Sequence, residues 1–167
     1  MRLQVAGGGV VSIRESTAAG MQGPDLTVER GLAFIGGFTQ AAVAAEFALI
    51  MLENPAASGV VVLVDRISVT TGGVSGIRGV HGVTTVPTAI TNVTNKRIGG
   101  AAPVADMGQA SNGATTGLQF FVATLNINRP KAYHFTPPIR LDEGENIGFW
   151  TSSANISLSL SYEWREI

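Results

Sequence analysis

The chain has 167 residues and a mass of 17.3 kDa, enough for one domain that buries about two thirds of its unfolded surface. Hydrophobic residues at 45% and a mean hydropathy of +0.27 exclude a wholly disordered chain, while 14% charged residues leave a surface built from Thr, Ser, Asn, Gly and Ala. Eleven Lys and Arg against twelve Asp and Glu give a net charge of -1, too even for nucleic-acid or anionic-membrane binding, and zero cysteines exclude disulfides, thiolate metal sites and a cysteine nucleophile.

Met1 to Val5 carries one basic residue and runs into Gly7-Gly8-Gly9 without an apolar core segment, so no secretory signal is expected. Residues 1–40 are punctuated by Gly7-Gly8-Gly9, Ala18-Ala19-Gly20, Gly23-Pro24 and Gly36-Gly37, and their apolar patches never settle into a period. They read as an extended N-terminal arm ordered by a neighbouring subunit or partner, with residues 41–167 as the body. The most apolar window, residues 41–52, is interrupted by Glu46 and falls well short of the roughly 20 residues of a bilayer span. A soluble protein without a membrane segment is expected.

That window is ambiguous. Phe38, Ala42, Ala45, Leu49 and Leu52 sit at helical spacing, whereas Phe47, Leu49 and Met51 sit at strand spacing. The β-branched run that follows the turn at residues 54–59 favours the strand, so Phe47–Glu53 and residues 60–70 are read as two antiparallel strands. Residues 71–117 are rich in Gly, Thr, Ala and Asn and read as hairpins and long loops, with short strands near 80–86 and 88–94. Leu118–Leu125 is a further strand, and residues 132–136 form another that ends before Pro137-Pro138. An acidic turn at 142–145 leads to a strand over Asn146–Thr151. Then Ile156, Leu158, Leu160, Tyr162 and Trp164 alternate with Ser157, Ser159, Ser161 and Glu163, the period of a strand with one buried face. Many short strands with Gly- and Pro-rich turns predict an all-β fold, an antiparallel β-sandwich or jelly roll.

The residues offer little catalytic chemistry. His81 and His134 are the two histidines, and neither has a second His or clustered carboxylates at ligand spacing, so no metal site is expected. Gly73-Val74-Ser75-Gly76 has the wrong spacing for a nucleophile elbow, and Gly7-Gly8-Gly9 lacks the Lys that a phosphate loop needs. Asp142, Glu143 and Glu145 read as a solvated hairpin turn rather than a calcium loop or a glycosidase pair. No catalytic residue, cofactor or metal is therefore assigned. Asn92-Val93-Thr94 and Asn155-Ile156-Ser157 match the glycosylation triplet but read as strand and turn residues. Gly73, Gly76, Gly79 and Gly82 recur every third residue around Arg78 and His81, which reads as a surface loop able to meet a partner subunit or a glycan. Candidate partner contacts are Arg2, Arg14 and Arg30 of the arm together with Arg78 and His81. Tyr162 and Trp164 belong to the core face of the last strand, which leaves Trp150, beside Thr151-Ser152-Ser153, as the candidate for stacking on a sugar ring.

Three features occur together: Asn-Pro-Ala-x-Ser-Gly at 54–59 before the β-branched run at 60–70, the Pro-x-x-Leu-x-x-Gly-Glu turn at 138–145, and the alternating strand that ends in Tyr-Glu-Trp-Arg-Glu at 162–166. In this pattern the chain resembles small β-sandwich virion proteins of tailed bacteriophages. The resemblance covers roughly residues 45–70 and 137–166. It implies a jelly-roll body that trimerises and an extended terminal arm that binds the major capsid protein or other virion proteins, as a capsid decoration or cement protein does. It implies no enzyme activity, no nucleic-acid or membrane partner, and a place in the virion after assembly in the host cytoplasm. The alternative is a receptor- or carbohydrate-binding β-sandwich module of a phage tail or fibre.

Overall fold

The computed structural model describes residues 3–5, 9–11, 32–84, 88–90, 93–95, 100–112 and 117–167. The arm expected over residues 1–40 falls largely outside these, as do Arg2, Arg14 and Arg30. Thirteen strands and no helix make up the described elements: β1 (Leu3–Val5), β2 (Gly9–Val11), β3 (Ala33–Gln40), β4 (Phe47–Glu53), β5 (Val62–Thr71), β6 (Ser75–His81), β7 (Thr88–Ile90), β8 (Val93–Asn95), β9 (Asp106–Asn112), β10 (Leu118–Leu125), β11 (Lys131–Leu141), β12 (Asn146–Thr151) and β13 (Leu158–Glu166). The protein is all-β, as expected. It has two antiparallel sheets, one in the order β10-β6-β12-β4-β9-β7 and one in the order β11-β5-β13-β3-β8, besides the short β1-β2 ladder.

The hydrophobic pattern explains this arrangement. In β13, Leu158, Leu160, Tyr162 and Trp164 are buried while Ser159, Ser161, Glu163 and Arg165 face outward, which is the predicted alternation. Ile156 lies just before the strand and is half-buried. A single apolar cluster takes Phe34 from β3, Val64 and Ile67 from β5, and Leu160 and Trp164 from β13. The same cluster takes Ile50 and Leu52 from β4, Ile77 from β6, Met107 from β9 and Phe149 from β12. The two sheets therefore share one core. The buried Tyr162 hydroxyl donates to the Ile50 carbonyl at 2.8 Å, and Phe149 meets Tyr162 at 5.9 Å, so β13 is tied to the other sheet by a hydrogen bond and a ring contact.

β4 shows why its sequence is ambiguous. Ala48, Ile50 and Leu52 enter the shared core, whereas Leu49 and Met51 enter a second buried cluster with Val80 and Val83. Residues alternate across a strand, so the second cluster lies on the opposite face of the six-stranded sheet. A strand buried on both sides carries a continuous apolar run, and such a run mimics a helix when read by periodicity.

Four expectations are corrected. β4 and β5 form near the expected positions, but they lie in different sheets rather than pairing with each other, because the connector between them crosses from one sheet to the other. Residues 33–40, placed in the arm, are β3, which pairs with β13 over eight positions and with β8 on its other side. Pro137 and Pro138 do not end their strand. β11 runs through them because it is an edge strand whose ladder with β5 breaks between His134 and Ile139, and proline is tolerated where no ladder donor is required. The glycine-rich segment around Arg78 is not a surface loop but β6, placed between β10 and β12. A side chain at Gly79 would meet Phe149, Phe121 and Phe120 at 2.8, 2.9 and 3.0 Å, so this glycine makes room for three phenylalanine side chains.

Candidate functional site

Two of the motifs read from the sequence meet in the structure. The Asn54 side chain, fully buried, donates to the carbonyls of Val60 at 2.9 Å and Leu141 at 3.1 Å. The backbone N–H of Asn54 donates to the Glu145 carbonyl, and that of Gly144 donates to the Asn54 carbonyl. Glu143 accepts from the Gly59 N–H at 3.0 Å, and Glu145 accepts from the Asp142 N–H at 2.8 Å. Gly144 sits at a φ of 78°, which suits glycine in this tight turn. The acidic residues at 142–145 thus hold a turn closed against the 54–59 connector, and Arg140 pairs with Asp142 at 2.7 Å beside them. Among the described residues no three His, Asp or Glu side chains gather as metal ligands.

Arg78 and Trp150 do come together. They are paired positions on β6 and β12, and the Arg78 guanidinium lies 5.6 Å from the centre of the indole ring. Phe47 meets the same indole edge to face at 5.1 Å, and the Trp150 Nε1 is buried with no hydrogen-bond partner. A sugar stacking on the face under Arg78 would have to displace the guanidinium. His81 ends β6, with its Nε2 3.5 Å from the Glu145 carboxylate, and does not join the Arg78 and Trp150 group. His134 is exposed on β11, opposite Arg66.

The outer face of the five-stranded sheet is divided. Arg66 and Glu163 pair at 2.9 Å, and Arg165 holds Asp65 through two bonds of 2.7 and 2.8 Å. Beside them an open, uncharged depression of about 550 Å³ is lined by Thr39, Ser68, Thr70, Ser159 and Ser161, with Thr39 and Ser159 hydrogen-bonded at 2.8 Å. At the far end of β13 the buried Glu166 carboxylate accepts from the backbone N–H groups of Val104 and Ala105 and from the Trp164 indole. All of its partners are donors, so it anchors residues 104–105 to the last strand. Sequence spacing gives no signal for such a contact between segments about sixty residues apart.

The feature that sequence reading missed is the exposure of β10. Leu118 is 74%, Phe120 41% and Val122 61% exposed, and Ile127 in the following turn is 53% exposed. The apolar run is plain in the sequence, but its exposure follows from β10 being the outermost strand of its sheet.

Comparisons with protein-family models, with curated proteins and with solved structures find no match.

Proposed function

We propose that the chain is a non-enzymatic structural subunit of a tailed-bacteriophage particle. In this reading it is a capsid decoration protein that self-associates through its β body, and the N-terminal segment attaches it to the capsid lattice. The observation that carries the assembly part is the exposure of Leu118, Phe120, Val122 and Ile127 on and just after one edge strand, since several exposed large apolar side chains at a sheet edge on a weakly charged surface mark a protein contact. The phage part rests on the resemblance at residues 54–59, 138–145 and 162–166. Its first two segments are hydrogen-bonded to each other.

The strand order supports a jelly-roll form of the fold. Leaving out β1, β2 and the insertion β7 to β9, the sheets read β11-β5-β13-β3 and β10-β6-β12-β4. Eight strands crossing between two four-stranded sheets in this order correspond to the double Greek key used by capsid and lectin domains.

Mass spectrometry of purified particles from the culture that makes the chain tests the reading. The chain is expected in the banded particle fraction at a fixed ratio to the major capsid protein. Recovery solely from the particle-free supernatant would contradict it, and glycan binding lost on Trp150→Ala would move the assignment to a carbohydrate-binding module.

A further inference from the structure

β10 pairs with β6 on one side, and no described strand lies on its other side. One row of its N–H and C=O groups therefore has no strand partner among the described residues. Protein edges of this kind carry Lys, Pro, an inward charge or a β-bulge that hinders further pairing. Leu118–Leu125 reads LQFFVATL, with no Lys, Pro or inward charge, and the one such device it has is a bulge near its start. Its ladder with β6 shifts between Gln119 and Phe121 and is regular from there to Leu125. The charge that reaches the strand is Lys131, whose Nζ donates to the Thr124 carbonyl at 3.2 Å and covers the C-terminal end alone.

We propose that β10 pairs antiparallel with β10 of a second copy about a two-fold axis, joining two six-stranded sheets into one continuous sheet. The proposal rests on the self-association reading above and names its interface. A second copy fits this edge better than a charged partner does, because the strand offers no charge to read and brings no like charges face to face. Arg78, one strand further in and opposite Val122, would stand about 14 Å from its symmetry mate at strand spacings of about 4.8 Å, beyond a Debye length of about 8 Å. Two-fold pairing makes the dimer the repeating unit, where the resemblance implied a trimer.

The absence of native cysteine makes cross-linking a clean probe. Single cysteine variants at every position from Leu118 to Thr124 are made in the full chain and oxidised mildly. At least one is expected to form a covalent dimer in high yield, since facing positions on paired strands bring Cβ atoms within about 4.5–5.5 Å. The double variant L118K/V122K is expected to show monomer mass by light scattering while keeping the parent's circular dichroism and Tm, because both side chains are solvent-exposed in the single chain. An assembly mass that survives both lysines, or no covalent dimer from any of the cysteine variants, overturns the edge pairing. Particle association is a separate readout. A parent that dimerises through β10 but is missing from particles removes the virion reading and leaves this interface standing. A parent found in particles whose mass ignores the lysines does the reverse.

Discussion

Leu158 opens the last strand with its side chain fully inside the shared core, next in the alternation to Leu160 and Tyr162. Leu158→Asp is expected to destabilise the protein by several kcal/mol, because it places an unpaired carboxylate where no described group can pair with it. Thermal or denaturant unfolding measures this, and a melting temperature equal to the parent's would show that the face is wrongly assigned. Tyr162 gives a subtler test. Burial pushes its phenol well above the ordinary value of 10.0, with a backbone hydrogen bond at Phe149 acting the other way. The folded chain therefore keeps the proton at a pH where the unfolded chain releases it, and stability is present in full below about pH 10 and falls as pH rises beyond it. Tyr162→Phe is expected to cost about 1 kcal/mol at neutral pH through loss of the bond to Ile50, and to lessen the alkaline loss. Urea midpoints from pH 8 to 11 would show this, and identical slopes for parent and variant would contradict it. At this scale the sequence was a good guide where one strand's alternation decided burial, as for Tyr162 and Trp164. It was a poor guide where the partner came from elsewhere, as for Glu166 on Val104 and Ala105, or Arg78 over Trp150.

Among the elements, β3 marks the difference between what local pattern reveals and what pairing decides. Ala33–Gln40 contains Gly36-Gly37 and has no clean alternation, so by pattern alone it belongs with the segment before it. Its place comes from neighbours. Gly36 lies where a side chain would run into the Met107 sulfur and Val93, and Phe34 stacks on Trp164 at 5.8 Å. Deleting residues 1–31 is expected to leave a body with the parent's cooperative unfolding, since every pair of β3 with β13 and β8 remains. Deleting residues 1–40 is expected to abolish cooperative unfolding by stripping β13 of one partner. Equal melting of the two truncations would show that β3 contributes nothing to the sheet. β6 is the same lesson in reverse: its glycines read as loop, but in the interior of a sheet Gly79 is the position over which Phe120, Phe121 and Phe149 close. Pro137 and Pro138 mislead for a related reason, because proline's meaning depends on whether the strand is central or at an edge.

Across the whole molecule, the succession of short strand patterns and Gly- and Pro-rich turns foretold the all-β class but not which apolar residues stay outside. A chain with few charges must leave apolar atoms on its surface, and sheet order determines that Leu118, Phe120 and Val122 of β10 are among them. An uncharged open edge is a liability in a single copy and an advantage in an assembly, which joins the architecture to the proposed role. The same logic accounts for the polar outer face of β13, where Ser159 and Ser161 need no partner to remain in water. Light-scattering mass of the full-length chain across micromolar concentrations during size exclusion tests the central claim most directly. The account predicts a discrete multiple of 17.3 kDa that persists on dilution into the low micromolar range. A monomer at every concentration would contradict it.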